Sequence, residues 1–213
     1  MADKPVLAFD CTTQHASIAL AAGGEVRTLR LDANRHAAEL IPAIDQLVRE
    51  ASLQYTQLLL MVTTVGPGSF TGVRIGLAAL HGLALAASLP VKTLTSLEAM
   101  AWAVAIRQNP PTDFHVGLRA GKGEAYMQRF CVRDTAPQPM GDIFLCAEGE
   151  ATNHAPYFGN LQPTDHPNFL EAPDAAVLCR IAHLLPDCTL ERALPLYIRP
   201  PDAAIAAPLP WLA

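Results

Sequence analysis

Three features of the sequence predict an α/β fold of two related halves with mixed sheets. Short apolar runs of strand length alternate with runs of helical spacing along most of the chain. The opening pattern, a run, a polar turn and a second run, recurs after residue 112. Between the two occurrences stands Asn109-Pro110-Pro111-Thr112, a strong breaker. It sets the expected boundary between a first lobe, 1–108, and a second, smaller one, 109–213, whose C-terminal tail has the option of packing back on the first.

Val6–Asp10 is the first apolar run, Cys11–His15 a polar turn, and Ala16–Ala21 the second run. Gly23-Gly24 signals a two-residue hairpin before alternating Val26, Thr28 and Leu29. Leu40, Ile41, Ile44, Leu47 and Val48 fall at helical spacing, with Pro42 opening the helix or kinking its first turn. Leu58–Val65 is a strand-like run that empties into Gly66-Pro67-Gly68-Ser69-Phe70-Thr71-Gly72. A helix follows from about Gly72 to Ser88. Val91–Leu94 is a further strand, and Thr95-x-x-Glu98 is a capping box opening a helix to about Arg107. After the breaker come Phe114–Leu118, a Gly/Lys turn over Arg119–Gly123, and an alternating strand over Glu124–Val132. Residues 134–172 carry no clear pattern. Asp174, after Pro173, caps a helix expected to reach Leu185 and stop at Pro186. The tail alternates Pro with apolar residues and reads as docked or frayed rather than helical.

Of the 213 residues, 51% are hydrophobic and 16% charged, which excludes global disorder. Fifteen Lys and Arg against twenty Asp and Glu give a net charge of −5, and the excess of acid lies in the second half. Neither half has the basic surface of a stand-alone nucleic-acid binder. Five cysteines without a C-x-x-C argue against a disulfide framework or a thiolate zinc site. The uncharged, apolar stretch Ile75 to Val91 is shorter than the ~20 residues of a membrane span, and the N-terminus lacks the apolar region of a signal peptide. A cytoplasmic protein that meets no membrane is the expectation.

The helix after the Gly-rich loop carries an unusual stripe. Gly72, Gly76, Ala79, Gly82 and Ala86 share one face, although each glycine costs ~1 kcal/mol relative to alanine. Such a face is expected where another backbone packs very close. The loop itself sits in a strand-loop-helix setting able to hold an anion, but Val73-Arg74 stand where a P-loop needs Lys-Ser/Thr. Pro67 likewise breaks the G-x-S-x-G pattern of a hydrolase elbow. A tight turn that allows close helix packing is the reading these residues favour. Asp10 ends the first strand before Thr12-Thr13, which fits a carboxylate holding magnesium beside phosphates as well as a structural carboxylate gathering turn hydrogen bonds. Leu118 or Arg119 occupies the equivalent place in the second half. No two of the seven histidines stand at i, i+4, and His36 with Glu39 reads as a capping or surface pair.

Several segments, in order, resemble the bacterial tRNA threonylcarbamoyladenosine biosynthesis family TsaB, also called YeaZ. They are Asp10-Cys11-Thr12-Thr13 with Ala16–Leu20, His36–Pro42, Gly66–Gly76, Ser96-Leu97-Glu98 and Pro195-Leu196-Tyr197-Ile198-Arg199. The resemblance implies an actin/Hsp70-like (ASKHA) duplication of two RNase-H-like lobes. It further implies a non-catalytic subunit of tRNA N6-threonylcarbamoyladenosine (t6A) formation that binds the catalytic subunit TsaD, acts with the ATPase TsaE, pairs with itself when alone, and meets tRNA only through the complex. One departure stands out: where the family has D-A-R-x-G-E-V-Y, this chain has Arg119-Ala120-Gly121-Lys122-Gly123-Glu124-Ala125-Tyr126.

The resulting expectation is a partner interface over Gly72, Arg74, Gly76, Ala79, Gly82 and Ala86, with no catalytic residue, no metal and no required cofactor. A nucleotide at the joint interface would meet Asp10, Gly68 and Ser69. The rival classes are an ASKHA-type ATPase or sugar kinase using Asp10 and the loop, and a metallopeptidase-like protein, which the missing histidine pair disfavours.

Overall fold

Val6–Asp10 (β1) is buried along its whole length, which marks it as a central strand covered on both faces. The computed structural model describes residues 4–32, 35–107 and 109–199. β1, β2 (His15–Ala22) and β3 (Glu25–Asp32) form an antiparallel meander. Beyond β1 lie β4 (Leu60–Thr64) and β5 (Val91–Leu94), both parallel, giving the order β3-β2-β1-β4-β5. This is the mixed sheet of an RNase-H-like lobe.

The period of two along β1 feeds two cores. Leu7 and Phe9 join Leu40, Ile44 and Leu47 of α1 (His36–Glu50) and Leu77 and Leu80 of α2 (Phe70–Ala87). Val6 and Ala8 face the other way, towards Trp102 of α3 (Ser96–Ala105) and Leu178 and Ile181 of α4 (Ala175–Ile181). Each such Leu, Ile or Phe stabilises the fold by about 1.5–3 kcal/mol relative to exposure. The capping box of α3 forms as expected: Glu98 N–H donates to Thr95 Oγ1 at 3.0 Å and Thr95 N–H to Glu98 Oε2 at 2.7 Å. Pro42 lies inside α1 on its exposed side.

The second sheet repeats the first in shortened form. β6 (Asp113–Gly121) and β7 (Glu124–Arg133) form a hairpin whose turn residues, Lys122 and Gly123, both have positive φ. β8 (Ala136–Pro139) and β9 (Phe144–Ala147) pair with opposite ends of β7, and β10 (Tyr157–Gly159) lies parallel to β6. The order β10-β6-β7-β8 therefore mirrors β4-β1-β2-β3, the duplication that the recurring sequence pattern implies. Pro137 and Pro139 are tolerated because β8 is an edge strand. A 3-10 turn over Glu148–His154 stands between β9 and β10.

The lobes do not divide cleanly at 108/109. α3 is wedged between the sheets, with Leu97, Met100 and Val104 packed on Phe114, Val116 and Phe130 of the second lobe. α4 leaves the second lobe and covers the first sheet, where Leu178 meets Val6 and Ala19. It also ends at Ile181, short of Leu185, because Leu184 N–H closes a tight 2.8 Å bond to the Ile181 carbonyl. The Leu185 carbonyl then accepts from the buried Lys92 Nζ at 2.6 Å. After a 3-10 turn over Leu190–Arg192 the tail runs without helix to Arg199, docked across both lobes; its remainder, 200–213, lies outside the described residues.

Candidate functional site

Two features dominate the functional surface: a cleft between the lobes, and an apolar groove between α1 and α2. The Gly-rich loop touches both.

Asp10 ends β1 fully buried. Its Oδ1 accepts from Thr12 Oγ1 at 2.7 Å and from Thr64 Oγ1, and its Oδ2 accepts from Thr12 N–H at 3.3 Å. Ser96 Oγ continues the network by donating to Thr12 Oγ1 at 3.1 Å. Burial pushes the carboxyl up to about 6, against the lowering effect of the Thr64 and Thr12 hydrogen bonds. The neighbouring Cys11 thiol is pushed up as well, chiefly by burial and then by Asp10. The cleft is lined by Thr12 and Thr13 but not by Asp10. Of the three residues expected to meet a nucleotide, Gly68 and Ser69 line the cleft, whereas Asp10 is spent on holding the β1–β2 turn and β4 together.

The loop is closed on its own chain rather than left open as an anion cradle. Ser69 N–H donates to the Thr12 carbonyl at 2.7 Å, and Gly72 N–H donates to Ser69 Oγ at 3.3 Å, which caps α2. A β-carbon on Gly68 would lie 2.2 Å from the Thr12 carbonyl oxygen, and one on Gly72 would lie 1.9 Å from that of Cys11. These glycines let the loop and α2 approach the turn after β1.

The small-residue stripe is accordingly split between two uses, which corrects the expectation of a single partner-facing ridge. Gly72 and Gly76 are buried against Cys11; at Gly76 a β-carbon would meet Cys11 Cβ at 3.6 Å. Gly82 and Ala86 are exposed, and a β-carbon on Gly82 would meet nothing within 4 Å among the described residues. Ala79 is buried where the two uses meet. Arg74 is exposed but occupied: its guanidinium carbon sits 3.7 Å from the centre of the Phe70 ring, and its Nε donates to Tyr197 Oη at 2.9 Å.

The outward half of the stripe forms one side of a groove of about 410 Å³. Ile75, Ala78, Ala79, Gly82 and Leu83 of α2 face Ala37, Leu40 and Ile41 of α1, so every lining side chain is apolar. Ile41 is 43% exposed, and Leu85, further along α2, is 72% exposed. By length and composition α2 would pass for a membrane span, yet one face of it packs into the first core. The share contributed by α1 was not legible from spacing alone; exposed Ile41 beside Pro42 is the only local signal for it. His36 and Glu39 do not pair: His36 is buried, with its pKa lowered chiefly by burial, and Glu39 Oε1 accepts from Arg35 Nε at 2.6 Å.

The cleft, of about 800 Å³, is walled by the β1–β2 turn, the loop, the β6–β7 turn and Leu196–Arg199. Its polar groups largely satisfy one another. Arg119 pairs with Glu148 at 3.4 Å, its N–H donates to Asn160 Oδ1 at 2.8 Å, and Asn160 Nδ2 donates to the Glu171 carbonyl at 3.2 Å. The departing Arg119–Gly123 segment is thus a structured turn, with a register shift between Arg119 and Gly121. Among the described residues no three His, Cys, Asp or Glu side chains are grouped to hold a metal ion.

Residues 30–145 match the family model described as TsaD, tRNA N6-adenosine threonylcarbamoyltransferase. The chain is 33% identical over 149 residues to the tRNA threonylcarbamoyladenosine biosynthesis protein TsaB of Haemophilus influenzae, covering 70% of this chain and 62% of that protein. It is 33% identical over 129 residues to the Escherichia coli TsaB, covering 59% of this chain and 54% of that protein. The alignments therefore span less than two thirds of either relative. A crystal structure from Pseudomonas aeruginosa, of an uncharacterized protein with similarity to peptidase YEAZ, superposes with a TM-score of 0.77 at 25% identity over 93% of this chain and all of that one. The family model covers more than half of the chain, and the relatives and the superposed structure carry the same family's names: the chain belongs to the TsaB (YeaZ) family, within the wider TsaD family.

Proposed function

We propose that this chain is a non-catalytic adaptor in t6A biosynthesis, working in the cytoplasm, and that it docks on a TsaD-type transferase through the groove between α1 and α2. The observation that carries this reading is the wholly apolar groove, lined by Ile41 of α1 and by Ile75, Ala78 and Gly82 of α2, a helix that is capped and braced from within. Small side chains there let a partner helix approach closely, which enlarges dispersion contact and expels water from both surfaces. A stable interface needs about 800 Å² per partner, so the groove would form the apolar centre of a larger patch on the two helices.

The chemistry of the cleft supports an adaptor over a phosphoryl-transfer enzyme. Asp10, a carboxylate placed like a magnesium ligand, is fully buried and sealed by Thr12 and Thr64, and burial pushes its carboxyl up to about 6. In this reading TsaE is a further member of the assembly, and the same groove supports self-association when the transferase is absent. The net charge of −5 favours tRNA contact through the partner rather than through this chain. Reconstitution tests it: t6A formation by purified TsaD and TsaE on tRNA, supplied with the threonylcarbamoyl donor, should require this chain. Equal t6A yield without it, or t6A made by this chain alone, would overturn the adaptor role.

A further inference from the structure

Leu196 to Arg199 grip the two lobes in succession. Leu196 N–H donates to the Val65 carbonyl at 2.8 Å. Its own carbonyl oxygen lies 2.8 Å from where a β-carbon would stand on Gly66, a residue with φ of +104°. The Tyr197 ring lies 5.2 Å from that of Phe70, and its hydroxyl accepts from Arg74 on the first turns of α2. Ile198 then packs on the second-lobe core around Phe114 and Val116. The Arg199 guanidinium reaches the β6–β7 turn, where it donates to the carbonyls of Ala120 and Gly121 at 3.4 and 3.5 Å and pairs with Glu124. The lobe crossing falls between Tyr197 and Ile198.

The two ends of the interlobe contact differ physically. At the back, α3 is wedged between the sheets by buried apolar packing, which is non-directional and tolerates small rotations. At the cleft the links are directional: Arg199 to the β6–β7 turn, and Arg30 to both carboxylate oxygens of Glu171 at 2.8 and 2.5 Å. A wedge at the back and latches at the mouth make a hinge whose opening the latches set.

We propose that Leu196–Arg199 is a strap that sets the opening of the interlobe cleft and couples it to α2. Arg74 and Phe70 hold one end of the strap, and Glu124 with the Ala120 and Gly121 carbonyls holds the other. Loosening either end releases the same element, so a change on α2 is felt at the β6–β7 turn and the reverse holds by linkage. The inference goes beyond the adaptor reading and does not need it, because every contact involved lies within one chain.

Hydrogen exchange of the full, partner-free chain, followed by mass spectrometry, tests the strap. Arg199→Gln should speed exchange of amides in residues 118–126 by on the order of tenfold. Glu124→Gln should do the same from the other side, and Arg199→Lys should restore part of the protection. Arg74→Ala should also speed exchange in 118–126, although its partners, Phe70 and Tyr197, lie outside that segment. In each variant the amides of β1 and α3 should keep wild-type rates, which separates strap release from general loosening. Unchanged exchange in Arg199→Gln and Glu124→Gln would overturn the strap. A response confined to those two, with none in Arg74→Ala, would overturn the coupling to α2.

Discussion

The carbonyl oxygen of Cys11 stands 1.9 Å from the position a β-carbon would take on Gly72, so the strand end and the first turn of α2 are packed backbone to backbone. The glycine is required by this chain's own fold. Gly72→Ala forces one backbone away from the other and should destabilise the chain by about 3 kcal/mol or more in urea unfolding, at the upper end of core overpacking. Gly76→Ala, where the added carbon meets Cys11 at 3.6–3.8 Å, is expected to stay within about 1 kcal/mol of wild type.

Asp10 should shape the pH dependence of stability. Its carboxyl is raised in the folded state from 3.8 to about 6, so between those values the native chain binds a proton that the unfolded chain has released. Stability from this group is therefore full below about pH 4 and lost as pH rises towards 6, by roughly 3 kcal/mol at about 1.36 kcal/mol per pKa unit. His36 and His115, whose pKa values are lowered chiefly by burial, act in the opposite sense, so the informative quantity is a difference. Denaturant midpoints of wild type and Asp10→Asn, measured from pH 4 to 7, should converge or cross with a slope that only the carboxyl supplies. Parallel profiles would show that Asp10 keeps an ordinary titration.

Much of the first lobe was legible because its elements are fixed locally. The apolar run Val6–Phe9 of β1, the Gly23-Gly24 turn and the Thr95–Glu98 box each state their structure within a few residues. The use of the stripe was not legible. A glycine on a helix face answers equally to a neighbouring chain and to a carbonyl of its own β1 turn; Gly72 and Gly76 serve the latter, Gly82 is left facing outward. Residues 134–172 were unreadable because β8, β9 and β10 are only three or four residues long and take their register from β7 and β6. Nor could α4 be assigned to the first lobe, since its apolar face fits either sheet by pattern and the choice is made by the three-dimensional path of the chain.

The cysteines should divide by burial. Cys11 and Cys179 are buried and their thiols pushed up, the latter to about 12, so neither presents a thiolate at neutral pH. Alkylation of the native chain at pH 7.5, mapped by mass spectrometry, should label the partly exposed Cys131, Cys146 and Cys188 well before Cys11 and Cys179. In denaturant all five should react at similar rates.

Gly82 offers the cleanest probe of the docking face, because a β-carbon there meets nothing within 4 Å among the described residues. Gly82→Ala should hold or raise the melting temperature, as alanine favours helix by up to about 1 kcal/mol. A fall of several degrees would mean that the groove is sealed by contacts of its own.

The affinity of Gly82→Arg for purified TsaD, set beside that of wild type by isothermal titration calorimetry, tests the docking groove most directly. A charged side chain planted in an apolar groove should weaken binding by about a hundredfold or more while leaving the melting temperature within a degree or two. Wild-type affinity in that variant, with the fold intact, would place the partner elsewhere and contradict the account.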